Sequence, residues 1–287
     1  MTAVQTGRPA SAGRDAADRG ARLPVPVDAS RGRRFTGWTL AVTALVVVHV
    51  LAVQGTEFEL GKLVDGWQGM ARFVSQAFPP SFNWDKVVLP GLEATLVTLW
   101  IGLLGTTLSV PFALLLAILS SRTMSPHPVV YQVARAILSF FRAVPDIVFA
   151  LVFVTAVGLG PFAGVLALIC HNTGVMGKLW AEAMEETDQG PEQALTTTGA
   201  SRVQRIFHAS LPMVIPQFVG LLMYRFDVNV RSSLVLGLVG AGGIGLLINQ
   251  AIKTFRFDEM VTYIIIVLIL VIVVDQLSAF IRRRLQV

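Results

Sequence analysis

The sequence predicts an all-α protein that crosses a membrane about six times. Three observations carry this prediction. First, 54% of the 287 residues are apolar and only 14% are charged, against about 25% charged in an average soluble domain. Second, the apolar residues come in runs close to the ~20 helical residues that cross ~30 Å of hydrocarbon. Third, Lys and Arg concentrate in alternate connecting segments, which is the pattern that orients helices in a membrane. A soluble fold could not bury apolar runs of this length.

Residues 1–34 are rich in Arg, Ala, Gly, Pro and Asp and lack apolar periodicity, so a disordered tail is expected. The charged stretch is too long for a secretory signal, and no small-residue cleavage site follows the first apolar run, which should stay as an anchor. Residues 35–86 hold that first span (36–53) and an external segment. There Leu63, Trp67, Met70 and Val74 recur at helical spacing. They suit an amphipathic helix lying on the outer membrane face or packing on the bundle. Residues 87–287 form the core. Its predicted spans are 87–120, 129–157 with a break near Pro145, 162–180, 212–234 and 259–281. The single cysteine, Cys170, lies in an apolar run and reads as a small buried hydrophobe.

Charge sets the orientation. The tail carries Arg8, Arg14, Arg19, Arg22, Arg31, Arg33 and Arg34, and the C-terminal end carries Arg282, Arg283 and Arg284. Both ends are expected in the cytoplasm. The loop after the first span sets Lys62, Arg72 and Lys86 against Glu57, Glu59, Asp65 and Asp85, and should be external. The turn Gly158-Leu159-Gly160-Pro161 then falls outside, and the polar stretch 181–210 inside.

That inner loop, residues 187–210, is built to hold short helices. Asp188 can cap one, Pro191 fits its first turn, and Gly199 suits a stop with positive φ. A second short helix is expected over 202–208. Ala194, Gly199, Leu211 and Pro212 in this loop, at this spacing, resemble the cytoplasmic loop signature of ABC importer permeases. Gln193, Leu195 and Ala209 depart from it. Arg142-Ala143-Val144-Pro145-Asp146, Gly174-Val175-Met176-Gly177-Lys178-Leu179 and the run from Tyr224 to Ser233 resemble the phosphonate-type branch of that family. So do Ala156-Val157-Gly158-Leu159-Gly160-Pro161 and the run from Val235 to Gly245. The resemblance covers about residue 89 to the C-terminus.

The resemblance implies a type I ABC importer permease-like bundle in a bacterial cytoplasmic membrane. It implies transport of phosphonate or a related phosphorus oxyanion by alternating access. It also implies a second permease copy or close relative, an external substrate-binding protein, and a separate cytoplasmic ATP-binding subunit dimer that carries ATP and Mg. No cofactor, metal or nucleic acid is implied for this chain. The ATPase would contact Glu192, Gln193, Ala194, Leu195, Gly199, Ala200 and Ser201.

Other motifs weigh less. Gly240-Ala241-Gly242-Gly243-Ile244-Gly245 fits G-x-G-x-x-G, but a membrane helix precedes it where a dinucleotide site needs a strand. These glycines suit close helix approach or a turn within the membrane. No Walker A sequence is present, so energy must come from another chain. In the fifth span Arg225, Asn229 and Ser232 share one face, and Asp227 and Arg231 share roughly the opposite one at ion-pair spacing. Asp227 and Arg231 can neutralise each other as a structural pair. Arg225 then keeps a free charge, either facing the pathway or pairing with Asp146 or another acid. His171 and Asn172 are further pathway candidates that read first as a satisfied structural pair, and Arg142 is another, open equally to a cytoplasmic gate or to the interface. The competing functions are a self-contained secondary transporter or channel for a small anion, and a membrane-embedded enzyme. No nucleophile–base pair or paired carboxylates support the last.

Overall fold

The computed structural model describes residues 30–188 and 190–284, with side chains over 37–188 and 190–283. Residues 1–29 of the arginine-rich tail and Gln189 therefore lie outside the described residues, while residues 30–34, expected in that tail, begin the first helix. Among the described residues there are helices and turns but no strand. The chain divides into two compact units, Met1–Gly66 and Trp67–Val287. Five helices are long and apolar enough to cross a membrane, or up to six if one bent pair is a single span.

The first unit holds α1 (Ser30–Gly55) and a single-turn helix, α2 (Gly61–Asp65). At 1.5 Å per residue, α1 is about 39 Å long, enough for the hydrocarbon core. The amphipathic helix expected across residues 63–74 is not continuous. It breaks at Gly66, and its second part is α3 (Trp67–Ala77) of the other unit. There α3 packs on the bundle through buried Ala77 and through Phe73, whose ring meets Phe257 edge-on at 4.9 Å.

The second unit is the bundle. A π-helical turn, Trp84–Val88, leads into α4 (Leu89–Ser120), the longest helix. Next come α5 (Pro128–Ala143) and α6 (Asp146–Val157), bent by 87° at the break between them. Pro145 lacks an N–H and disfavours helical geometry in the residue before it, so Val144 is extended (φ −83°, ψ 120°). α7 (Pro161–Glu186) runs past the predicted end at 180. The inner loop folds as α8 (Gly190–Thr197), α9 (Arg202–Arg205) and a π-helical turn, Ile206–Ser210, which continues into α10 (Leu211–Leu238). The bundle ends with α11 (Ile244–Lys253) and α12 (Phe257–Arg284). Sequence reading missed α11. Its buried Ile244, Ile248 and Ala251 repeat at helical spacing, but they sit between glycines and the last span.

The turn from α10 to α11 lies within the protein. Gly240, Gly242 and Gly243 take φ of 96°, 82° and 72°, a region that residues with a Cβ avoid. Ile244 N donates to Thr98 Oγ1 of α4 at 2.9 Å, and Gly160 N donates to Gly240 O at 3.0 Å. Such irregular backbone is tolerated in a membrane only when protein or water surrounds it. Thr98 lies nine residues into α4, about 14 Å along it.

Three apolar layers stack along the bundle. One surrounds Val87, Ile248 and Tyr263 near the start of α4. The next holds Ile101, Leu168 and Leu236. The third holds Ala113, Met176, Trp180 and Phe218, with the Trp180 and Phe218 rings stacked at 4.6 Å. α10 meets α4 closely between the second and third layers. A Cβ on Gly102 would stand 2.8 Å from Val230 Cγ2 and 3.0 Å from Val230 Cα. Gly102→Leu is expected to cost about 1–3 kcal/mol by overpacking. Thermal unfolding of the purified chain in detergent should show the loss. Gly69→Ala, where a Cβ meets nothing within 4 Å, should leave the midpoint nearly unchanged.

Candidate functional site

Between the second and third apolar layers lies a closed polar network. α4 supplies Thr106 and Ser109, α7 supplies Asn172, and α10 supplies Arg225 and Asn229. Arg225 Nε donates to Asn172 Oδ1 at 2.8 Å, and another Arg225 nitrogen donates to Asn229 Oδ1 at 3.3 Å. Asn172 Nδ2 donates to Ser109 Oγ at 2.5 Å. Asn229 Nδ2 donates to Thr106 Oγ1 at 2.7 Å. The hydroxyls then pass their own protons along α4, Thr106 to Gly102 O at 2.6 Å and Ser109 to Thr106 O at 2.7 Å. All five side chains are buried. A buried polar group with no partner is costly, and here each donor chain ends on a backbone carbonyl.

This corrects the expectation that Arg225 keeps a free charge facing the pathway. Arg225 is 8% exposed and bonded to two asparagines. It does not pair with Asp146, whose carboxylate accepts from Ile147 N in the first turn of α6. Asn172 and His171 do not pair with each other either. His171 Nδ1 donates to Val144 O at 3.1 Å, holding the elbow between α5 and α6 against α7. Arg142 is exposed in the last turn of α5, and Ser232 is half-buried. Asp227 and Arg231 do form an ion pair.

Sequence reading missed Thr106 and Ser109. A signal was available: Thr98, Gly102, Gly105, Thr106, Ser109 and Ala113 fall at three- and four-residue spacing, giving α4 one small and polar face. Such faces are where membrane helices approach closely and share hydrogen bonds.

The inner loop is the second constellation. Asp188 Oδ1 accepts from Gly190 N at 3.0 Å at the start of α8. Gly199 (φ 79°) stops that helix, with Ala200 N returning to Leu195 O at 3.2 Å. Ser201 and Gln204 form a reciprocal capping box on α9. Leu195, Thr198, Gly199, Ala200, Gln204 and His208 line an open groove of about 440 Å³. Of the predicted contact residues, Gln193, Ala194, Gly199 and Ser201 are exposed, while Glu192, Leu195 and Ala200 are half-buried.

The loop is braced on the bundle by contacts that sequence reading did not find. Arg205 donates to Thr196 Oγ1 at 2.7 Å, tying α9 to α8. Arg202 donates to Thr123 O at 3.3 Å, tying α9 to the turn between α4 and α5. That turn is fixed in its own right, because Arg122 N donates to Glu185 Oε1 at 2.8 Å at the end of α7. Arg135 of α5 reaches the same carboxylate at 3.7 Å and lies over the Tyr131 ring. The Tyr131 hydroxyl accepts from Arg122 and raises its guanidinium above the ordinary value, so that cation is permanent. Among the described residues, no group of His, Cys, Asp or Glu side chains could hold a metal ion.

The sequence profile of the binding-protein-dependent transport system inner membrane component family matches residues 109–287. The chain belongs to that family. It is a multi-pass inner-membrane protein. Over 221 residues it is 37% identical to the "Phosphite transport system permease protein PtxC" of Stutzerimonas stutzeri, covering 77% of this chain and 79% of that one. Over 234 residues it is 36% identical to the "Phosphate-import permease protein PhnE" of Mycolicibacterium smegmatis. That match covers 82% of this chain and only 43% of the relative, so the chain spans less than half of that protein's length. Its fold matches a chain of the inward-facing MetNI methionine ABC transporter with a TM-score of 0.60 and 23% identity, over 71% of this chain and 99% of that one. Loop helices in the inner loop and a bundle of α4 to α12 are thus the fold of a type I ABC importer permease.

Asn172 ties α7 into the buried network, since it bonds both Arg225 of α10 and Ser109 of α4. Asn172→Leu leaves the Arg225 Nε unpaired and removes the donor to Ser109 Oγ, and is expected to cost about 2–3 kcal/mol. Thermal unfolding should show the loss. Combining it with Arg225→Met should cost less than the sum of the two single changes, because the orphaned cation is gone.

Proposed function

We propose that this chain is the membrane-spanning permease subunit of an ATP-driven importer for phosphonate, phosphite or phosphate. The reading is carried by one observation: the exposed α8–α9 loop, in a chain of this family, is capped at its turns and tied through Arg202 to the turn between α4 and α5, which Glu185 fixes to α7. A helix held this way can receive force from outside the membrane and deliver it to the spans. The substrate class rests on what the Stutzerimonas and Mycolicibacterium relatives are named for transporting.

On this reading both termini and the α8–α9 loop face the cytoplasm, as the Lys and Arg distribution indicates. A cytoplasmic dimer of ATP-binding subunits grips the loop at residues 192–201, and carries ATP and Mg. A second permease copy or a close relative completes the pathway, and an external binding protein delivers the anion. ATP binding and hydrolysis draw the two loops together and apart, which switches the spans between inward-facing and outward-facing states. The chain is a transport subunit and not an enzyme.

A self-contained secondary transporter would place paired discontinuous helices around a substrate site. The breaks at Pro145 and at Gly240–Gly243 are packed on α7 and α4 instead, and the loop helices would be left without a partner.

The test is purification of the tagged chain in mild detergent, with identification of what accompanies it. An ATP-binding subunit should co-purify. Gly199→Val strains the left-handed stop of α8 and should lower its recovery about tenfold or more, the equivalent of ~1.4 kcal/mol. A chain that is partner-free and still moves phosphite into liposomes without ATP contradicts the reading.

A further inference from the structure

α10 has a second polar face, opposite the one the network covers. Gln217, Tyr224 and Arg231 lie seven residues apart, two helical turns, and therefore on one side of the helix. All three are exposed, whereas Arg225, Asn229 and Ser233 on the packed side are buried. The depth of Arg231 follows from its neighbour. Val230 packs on Gly102, which lies thirteen residues into α4, about 20 Å along it. Arg231 is thus near the middle of the bundle, between the two apolar layers. Its side chain is 53% exposed, while that of its ion-pair partner Asp227 is 7% exposed.

A guanidinium at this depth cannot rest against lipid tails. Arginines inside membranes face the protein interior or a water-filled space. Among the described residues the only partner of Arg231 is Asp227, on its own helix. Arginine has five N–H donors in a planar fork, and one of its nitrogens serves Asp227. The rest of the fork has no partner among the described residues. Asp227 is itself incompletely used: its second carboxylate oxygen is buried without a hydrogen-bond partner. The pair is therefore a tethered cation with donors to spare, on the one polar side of α10 that this chain does not cover.

We propose that the Gln217–Tyr224–Arg231 face of α10 lines the aqueous pathway, and that Arg231 is the group on which a tetrahedral phosphorus oxyanion rests in transit. The inference rests on the importer reading above. The chemistry suits passage over capture. A guanidinium offers two parallel N–H bonds to a phosphorus oxyanion. Asp227 cancels most of its net charge, so the anion is held by geometry and not by a full unpaired charge. Transport needs a site that is favourable enough to enter and weak enough to leave. Arg225 is poorly placed for this part, because it is 8% exposed and held by Asn172 and Asn229 inside the bundle.

The test uses the assembled complex with its ATPase and binding protein, in proteoliposomes. Phenylglyoxal, which modifies accessible arginines, is applied to the wild type and read by peptide mass spectrometry. Arg231 should be modified, phosphite should protect it, and chloride at equal ionic strength should not. Arg225 should stay unmodified. In parallel, Arg231→Gln should lower phosphite and phosphate uptake about tenfold or more. Arg231→Lys should retain part of it, and binding-protein-stimulated ATP hydrolysis should persist in both. An Arg231 that is unmodified in the complex, being covered by the second permease chain, overturns the proposal. So does one that is modified without protection. If the wild-type complex carries none of phosphonate, phosphite and phosphate, the importer reading falls and this inference with it. If the wild type carries any of them and Arg231→Gln carries it equally well, only this inference falls.

Discussion

The rest of the bundle depends on one constraint: a cation placed in the middle of a membrane helix must be hydrogen-bonded by protein or must face water. Arg225 meets it in the first way. Its guanidinium is bonded to Asn172 and Asn229, and through them to Ser109 and Thr106. Three helices that share no sequence neighbourhood are thereby fixed in register. The apolar layers on either side of the network supply bulk, since dispersion packs many registers about equally well. Hydrogen bonds at fixed distances select one. The network lies at the same level on α4, α7 and α10, between the Ile101–Leu168–Leu236 layer and the Met176–Trp180–Phe218 layer.

That registration gives the loop helices something to push on. α8 and α9 are connected to α10 through a continuous turn, Ile206–Ser210, and to α4, α5 and α7 through Arg202, Arg122, Arg135 and Glu185. The individual surface contacts are worth little each, but they converge on one turn and one carboxylate. A displacement of α8 cannot be absorbed locally, because Gly199 and the Ser201–Gln204 box leave little slack. It passes to the loop-side ends of helices that the Arg225 network holds together. At the other end of α10 the glycine turn carries the chain into α11, with Thr98 of α4 anchoring the turn. α10 is thus tied at its start, its middle and its end.

Much of this was legible in the sequence. Apolar run length located the spans, and Pro145 announced the elbow, because both depend on local chemistry. The cap and stop of α8 were readable for the same reason: Asp188 and Gly199 act within four residues of themselves. What failed was the division of α10 into faces. Helical spacing correctly separated Arg225 from Arg231, and it correctly paired Arg231 with Asp227. It could not say which face another helix covers, and so did not show that Arg225 is bonded inside the bundle. That information lies in Thr106, Ser109 and Asn172, far away along the chain. α11 was lost because ten residues between glycines and a long apolar helix leave too short a run for periodicity to be decisive. The bracing of the loop by Arg202 and Arg205 was equally invisible, since its partners belong to other elements.

The most direct measurement of this two-faced α10 is a cysteine-accessibility scan of residues 222–235 in the assembled complex, with Cys170 replaced and a water-soluble, membrane-impermeant thiol reagent. The account predicts labelling at positions 224 and 231, and protection at 225, 229 and 233. Labelling at 225 and 229 with protection at 224 and 231 would contradict it, and would return the pathway to the Arg225 face.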